Sequence, residues 1–172
     1  TSGGTSTCPW TYEGKINTYE YKTIRYKGHH AKFKVLKDLG LLELTPVNVK
    51  GQEVVPRDLF HTVAKERLSF EDKRDLVVIQ SVCKGTKNGQ ASTVSYTILD
   101  YYDEITQFNA MSRMTGYPAS IVAIMSAKGH NQKGAIPLEL AVPGDIFMEE
   151  LQKRGIQINS EITTGHSSDK VL

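Results

Sequence analysis

The run DLVVIQSVCKG-TKNG-QASTVSYTILDYYD, residues 75–103, constrains this chain more than any other stretch. Two segments rich in β-branched and aromatic residues flank Asn88-Gly89, and that dipeptide tolerates the positive φ angles that a two-residue hairpin turn requires. An antiparallel hairpin is therefore predicted, and any fold for the chain must contain it. Around the hairpin, segments of helical periodicity alternate with shorter β-rich runs. The expected class is α/β (α+β), a mixed or largely antiparallel sheet packed with helices.

The remaining elements follow from local signals. KINTYEYKTIRY (15–26), rich in Ile, Thr and Tyr, predicts a long strand. Gly28 then turns the chain into HHAKFKVLKDLG, an amphipathic helix with Phe33, Leu36 and Leu39 as its buried stripe and Gly40 at its C-terminal cap. PVNVKGQEVV (46–55) predicts a small hairpin or arm. Pro56 opens the helix PRDLFHTVAKERL, expected to turn Leu59, Phe60, Val63 and Ala64 inward. Residues 104–128 are helical in pattern, except that Thr115-Gly116-Tyr117-Pro118 sets two breakers inside the most apolar part. Two helices meeting there are expected, with Pro118 first in the second helix and exposed amides that suit a carboxylate or phosphate. GHNQKGAIP (129–137) is a loop, and Asp145 is expected to cap a last helix, IFMEELQKR, closed by Gly155. Residues 1–156 form the ordered domain in this scheme, and the polar stretch 157–172 is expected to be a flexible tail.

Composition narrows the function classes. Hydrophobic residues make up 39% of the 172 and charged residues 23%, as in ordinary globular proteins. A net charge of +2 is too mild to point to nucleic acid, and no apolar run reaches the length of a membrane helix. Cys8 and Cys83 form no CxxC pair, which suits a reducing, cytoplasmic setting. The adjacent His29 and His30 cannot clasp one ion from a helix, so no metal is expected. GHNQKGA has the two glycines of a phosphate loop, but Ala135 stands where the lysine is needed. The run from Lys22 to Lys37 carries Lys22, Arg25, Lys27, Lys32, Lys34 and Lys37 without an acid, a pattern that a solvated helix face also explains. Arg25, at a strand-to-helix turn, could grip a carboxylate with two prongs. The small-residue opening Thr1-Ser2-Gly3-Gly4-Thr5-Ser6 is either a solvent loop or a set of amides and hydroxyls for polar ligand groups.

The order of these pieces carries a resemblance. TSGGTS, YKTIRYKGHHAKFKVLKDLGLL, FNAMSRMTGYPASIVAIMSAKG and AVPGDIFMEELQKRGI together resemble the saccharopine dehydrogenase family, which includes lysine 6-dehydrogenases. Lys27, Ser112, Met114 and Gly144-Asp145 depart from the family's usual residues. The resemblance implies the C-terminal substrate-binding and dimerisation part of such an enzyme, similar to the glyceraldehyde-3-phosphate-dehydrogenase-like domain, with the nucleotide fingerprint absent from these residues. It implies hydride transfer between NAD or NADP and a carbon–nitrogen bond of a lysine-derived amino acid, in a homodimer that belongs to lysine metabolism. The part present here would be inactive alone; a non-catalytic binding or oligomerisation module is the alternative. By analogy, Gly3, Gly4, Thr5 and Ser6 would contact the amino-acid substrate, with Arg25, Thr115 and Gly116 as further contacts. No residue is assigned as general acid or base.

Overall fold

A computed structural model describes residues 4–164, which divide into two units: residues 22–73, and a larger unit formed by the N-terminal stretch to Tyr21 together with the chain from Arg74 onward. In the larger unit, the long hairpin forms as predicted. β3 (Leu76–Lys87) pairs antiparallel with β4 (Gln90–Tyr101), in a register running from Leu76↔Tyr101 to Lys87↔Gln90. Asn88 and Gly89 adopt φ of 52° and 78° at the tip, the left-handed pair that matches the twist of the strands.

A third strand, β5 (Ile158–Thr164), lies antiparallel to β4 with Ile98 opposite Ile158 and Ser92 opposite Thr164. This corrects the expected flexible tail from residue 157: the free edge of β4 offers unpaired amides and carbonyls, and Ile158 adds an apolar anchor at the core. The rest of that tail, residues 165–172, lies outside the described residues.

α4 (Ala110–Ala127) is one helix with Pro118 inside it. The expected break at Thr115–Pro118 is therefore wrong. Pro118 supplies no amide to the carbonyl of Met114, and its ring crowds that turn, at a cost of about 3 kcal/mol. Burial outweighs the cost: Ile121 and Met125 are fully enclosed, and Met114 and Tyr117 pack beside them. The start shifts as well. Asn109 caps α4 by accepting from the Ser112 amide at 2.7 Å, and residues 104–107 form a turn closed by a bridge between Asp103 and Phe108.

After the 129–137 loop, α5 (Leu138–Ala141) makes a single turn, and α6 (Gly144–Lys153) closes the core. Asp145 is not the cap of α6; Pro143 holds that position, and Asp145 sits in the first turn, where its charge suits the helix dipole. The end is as predicted. Gly155, at φ 77°, lets its amide reach Gln152 and the Ile156 amide reach Leu151, which buries Ile156. The core of the larger unit is Ile121, Met125, Leu151 and Ile156, with Ile98, Val142, Ile146 and Phe147 against it.

The smaller unit contains α2 (His29–Asp38), the hairpin β1 (Val47–Val49) with β2 (Gln52–Val54), and α3 (Pro56–Arg67). All were expected, down to Gly28 at the start of α2 and Pro56 in the first turn of α3. The burial was not. Phe33, Leu39, Leu59 and Val63 are exposed, Leu39 at 70% and Val63 at 59%, and no side chain of α2 or α3 is buried. Periodicity marks a face able to pack, but a short unit on its own has too little volume to cover that face. The predicted strand at 15–26 also fails to form: these residues are irregular and exposed, since β propensity alone supplies no neighbour for the backbone to pair with.

Candidate functional site

The larger unit gathers its polar chemistry at two places. One is a buried ion cluster between β4 and α4. Arg113 is only 6% exposed; its Nε donates to Asp100 at 3.0 Å, and its Nη1 donates to Asp103. Its guanidinium also lies 5.6 Å from the centre of the Tyr117 ring. Asp103 is held below the usual carboxylate range, first by the amides of Thr106 and Ile105 and then by the Arg113 charge. Beside the cluster, Asp75 accepts from the amides of Ala110 at 2.6 Å and Met111 at 3.0 Å, filling the start of α4. Arg113, Asp100, Asp103 and Asp75 each bond within or beside the cluster, which ties sheet to helix. Its sequence signal was an arginine placed thirteen residues after the first aspartate of DYYD, a separation that carries no meaning until the strand and helix meet.

The second place is at the N-terminal end. The turn Gly4–Thr7 leads into α1 (Cys8–Thr11), a single turn whose Pro9 sits where a missing amide costs little. Gly4 faces the Tyr21 ring so closely that a Cβ there would lie 2.4 Å from ring carbons. Only a residue without a side chain lets the backbone approach that ring, which supplies a physical reason for glycine at this point. Ser6 is left-handed at φ 45°, and the Thr5 carbonyl accepts from the Cys8 amide at 3.1 Å.

Glu139 of α5 reaches this turn. The Thr7 hydroxyl lies 2.9 and 3.0 Å from its two oxygens, and the Thr11 hydroxyl donates to Oε1 at 2.6 Å. These bonds, with the Thr11 hydroxyl foremost and the Cys8 thiol adding to them, hold the Glu139 carboxyl below its ordinary range. Tyr19 bonds the same thiol; that bond and partial burial push its phenol up to about 12. A carboxylate, two hydroxyls, a thiol and a phenol thus meet beside the glycine turn.

The residues expected at the site divide as follows. Gly4, Thr5 and Ser6 lie together in the turn, while Gly3 falls outside the described residues. Arg25 belongs to the smaller unit, is exposed, and donates to its neighbour's carbonyl, that of Ile24, at 3.2 Å. Thr115 and Gly116 sit on the exposed side of an unbroken helix, and the Thr115 hydroxyl points to Met111 Sδ at 3.8 Å. α4 runs through this stretch unbroken, so neither the helix junction nor a ligand-facing break exists there. Glu139 is not legible from the sequence, because 132 residues separate it from Thr7 and no local pattern links them.

Residues 7–156 match the saccharopine dehydrogenase C-terminal domain, and the chain belongs to that family. A relative from Synechocystis sp., carboxyaminopropylagmatine dehydrogenase, is 31% identical over 130 residues, which cover 72% of this chain and 32% of the relative. The chain thus spans about a third of that relative's length. No helix among the described residues is long and apolar enough to cross a membrane.

Proposed function

We propose that this chain is the substrate-binding part of an NAD(P)-dependent oxidoreductase acting on a carbon–nitrogen bond of an amine that carries an amino-acid head group. The observation behind it is the Gly4–Ser6 turn against Tyr21, backed by hydroxyls, in a chain of this family. Amides and hydroxyls of that kind suit carboxylate and ammonium groups. Saccharopine is a secondary amine bearing carboxylates, and the relative's name joins a carboxyaminopropyl group to agmatine. An amino-acid head is common to both, so the proposal extends beyond lysine-derived substrates to other N-substituted amino acids.

The described residues do not fit a dinucleotide. Their sheet is antiparallel throughout and no glycine-rich turn joins a strand to a helix, so NAD or NADP would be held elsewhere in the enzyme. When bound, the nicotinamide carries the hydride, and the residues here orient the amine and hold its charged groups.

The test is turnover by the full-length enzyme on saccharopine, lysine and carboxyaminopropylagmatine, each with NAD and NADP. Activity on one of them, with a raised KM in Thr5→Ala and Ser6→Ala, is the expected result; activity on none overturns the proposal. The proposal includes a homodimer. It is supported by the sheet face turned away from α4, where Leu76, Val78, Val82, Leu99 and Tyr101 are exposed. Sedimentation at micromolar concentration checks it, and a monomer overturns that part.

A further inference from the structure

We infer that Glu139 is a positioning residue for the N-terminal turn, holding Gly4–Ser6 in place from the opposite end of the domain's sequence. The inference rests on the proposed reading of that turn as the substrate contact.

The geometry carries it. α1 has four residues, too few to hold itself, since a single helical turn orders several residues for very few bonds. A threonine at the start of a helix normally turns its hydroxyl back to an amide of the first turn. Thr7 occupies that position and makes no such bond. Its hydroxyl is instead within reach of both oxygens of Glu139, and Thr11, one turn on, bonds the same carboxylate at 2.6 Å. The helix has exchanged its own cap for an external clamp. Two residues, Thr5 and Ser6, separate Thr7 from Gly4, so fixing Thr7 fixes the turn.

The clamp itself is anchored. Asn131 Nδ2 donates to the Val122 carbonyl and to Ser126 Oγ, tying the 129–137 loop to α4. The Gln132 amide donates to the Ala141 carbonyl, closing that loop onto α5, and Val142, next in the chain, packs on the core. Glu139 thus transmits the position of α4 and the core to the turn. The Cys8 thiol also influences Tyr19, two residues before the Tyr21 ring that lies against Gly4. Charge matters as well as shape, because the Thr7 and Thr11 hydroxyls converge on one carboxylate, and bonds to an ionised acceptor are stronger than neutral ones.

The experiment compares Glu139→Ala and Glu139→Gln with Thr5→Ala in the full-length enzyme, measuring KM for the amine, KM for the dinucleotide, kcat and melting temperature. Expected is a rise of about tenfold or more in amine KM for Glu139→Ala, a smaller rise for Glu139→Gln, and an unchanged dinucleotide KM. Hydrogen exchange in residues 4–12 should quicken in the same order. If Glu139→Ala does not fold, the glutamine variant carries the comparison. An amine KM that rises in Thr5→Ala but not in Glu139→Gln overturns this inference and leaves the substrate reading standing. A KM indifferent to all three variants overturns both, and a lowered melting temperature with unchanged KM reduces Glu139 to a structural contact.

Discussion

The two units of this chain use the same kinds of element and end in opposite states. Around α4 and α6, helices with apolar faces meet a three-stranded sheet, and Ile121, Met125, Leu151 and Ile156 are enclosed. In residues 22–73, α2 and α3 carry comparable apolar spacing, yet Phe33, Leu39, Leu59 and Val63 remain open to solvent. The difference lies in what each helix can meet. α4 has a sheet whose third strand comes from far along the sequence, whereas the smaller unit has a two-stranded hairpin of three-residue strands, too small to cover a helix face. The lesson is that an amphipathic face is a demand for a partner, and the chain meets that demand in one region and carries it unmet in the other.

The sharpest way to break this contrast is at the buried cation. Arg113→Met should destabilise the protein by about 3–5 kcal/mol in chemical denaturation, because Asp100 and Asp103 are left facing each other without a counter-charge. A loss below about 1 kcal/mol would mean that water reaches the cluster.

Next comes a paired truncation. Ile121→Ala should cost about 2–5 kcal/mol, as removal of an enclosed side chain does. Val63→Ala, at an exposed position, should cost less than about 0.5 kcal/mol. A large loss at Val63 would show that the smaller unit's apolar face is covered in solution, and would turn the contrast into an interface.

Asp75→Ala probes the start of α4 and should cost about 1 kcal/mol, the usual value for a lost cap, read from the melting temperature. The smallest effect is in the acid limb. The Lys153 ammonium, then the Arg154 guanidinium, bring Glu150 from the ordinary 4.5 down to about 2. Its contribution is therefore whole above pH 4.5, where it is ionised folded or unfolded, and is lost as pH falls toward 2 because the unfolded chain takes up the proton first. Stability measured against pH should fall less steeply across that window in Glu150→Gln, and an unchanged slope would show that the ion pairs on α6 do not persist in solution.

Much of the fold was legible because local chemistry suffices for it. Lys50-Gly51 and Asn88-Gly89 make their hairpins through positive φ, Pro56 starts α3, and Gly155 ends α6, each decision resting on residues a few positions apart. Order of motifs was enough to place the chain in its family, which residues 7–156 bear out. Of the residues expected to contact substrate, Gly4, Thr5 and Ser6 share one turn, Thr115 and Gly116 lie on α4, and Arg25 belongs to the other unit.

What the sequence determined by itself was therefore the long hairpin, the elements of the smaller unit, several turns and the family, because backbone preferences act over a few residues and a glycine or proline states them plainly. Tertiary structure alone decided that α4 runs through Pro118, that residues 15–26 form no strand, and that Glu139 reaches Thr7 and Thr11. In the first case, the free energy of enclosing Ile121 and Met125 exceeds the roughly 3 kcal/mol that proline costs a helix. In the second, a strand needs a neighbour that composition does not supply. In the third, a carboxylate meets its donors only once the loop after α4 has folded back, bringing together groups that lie 132 residues apart.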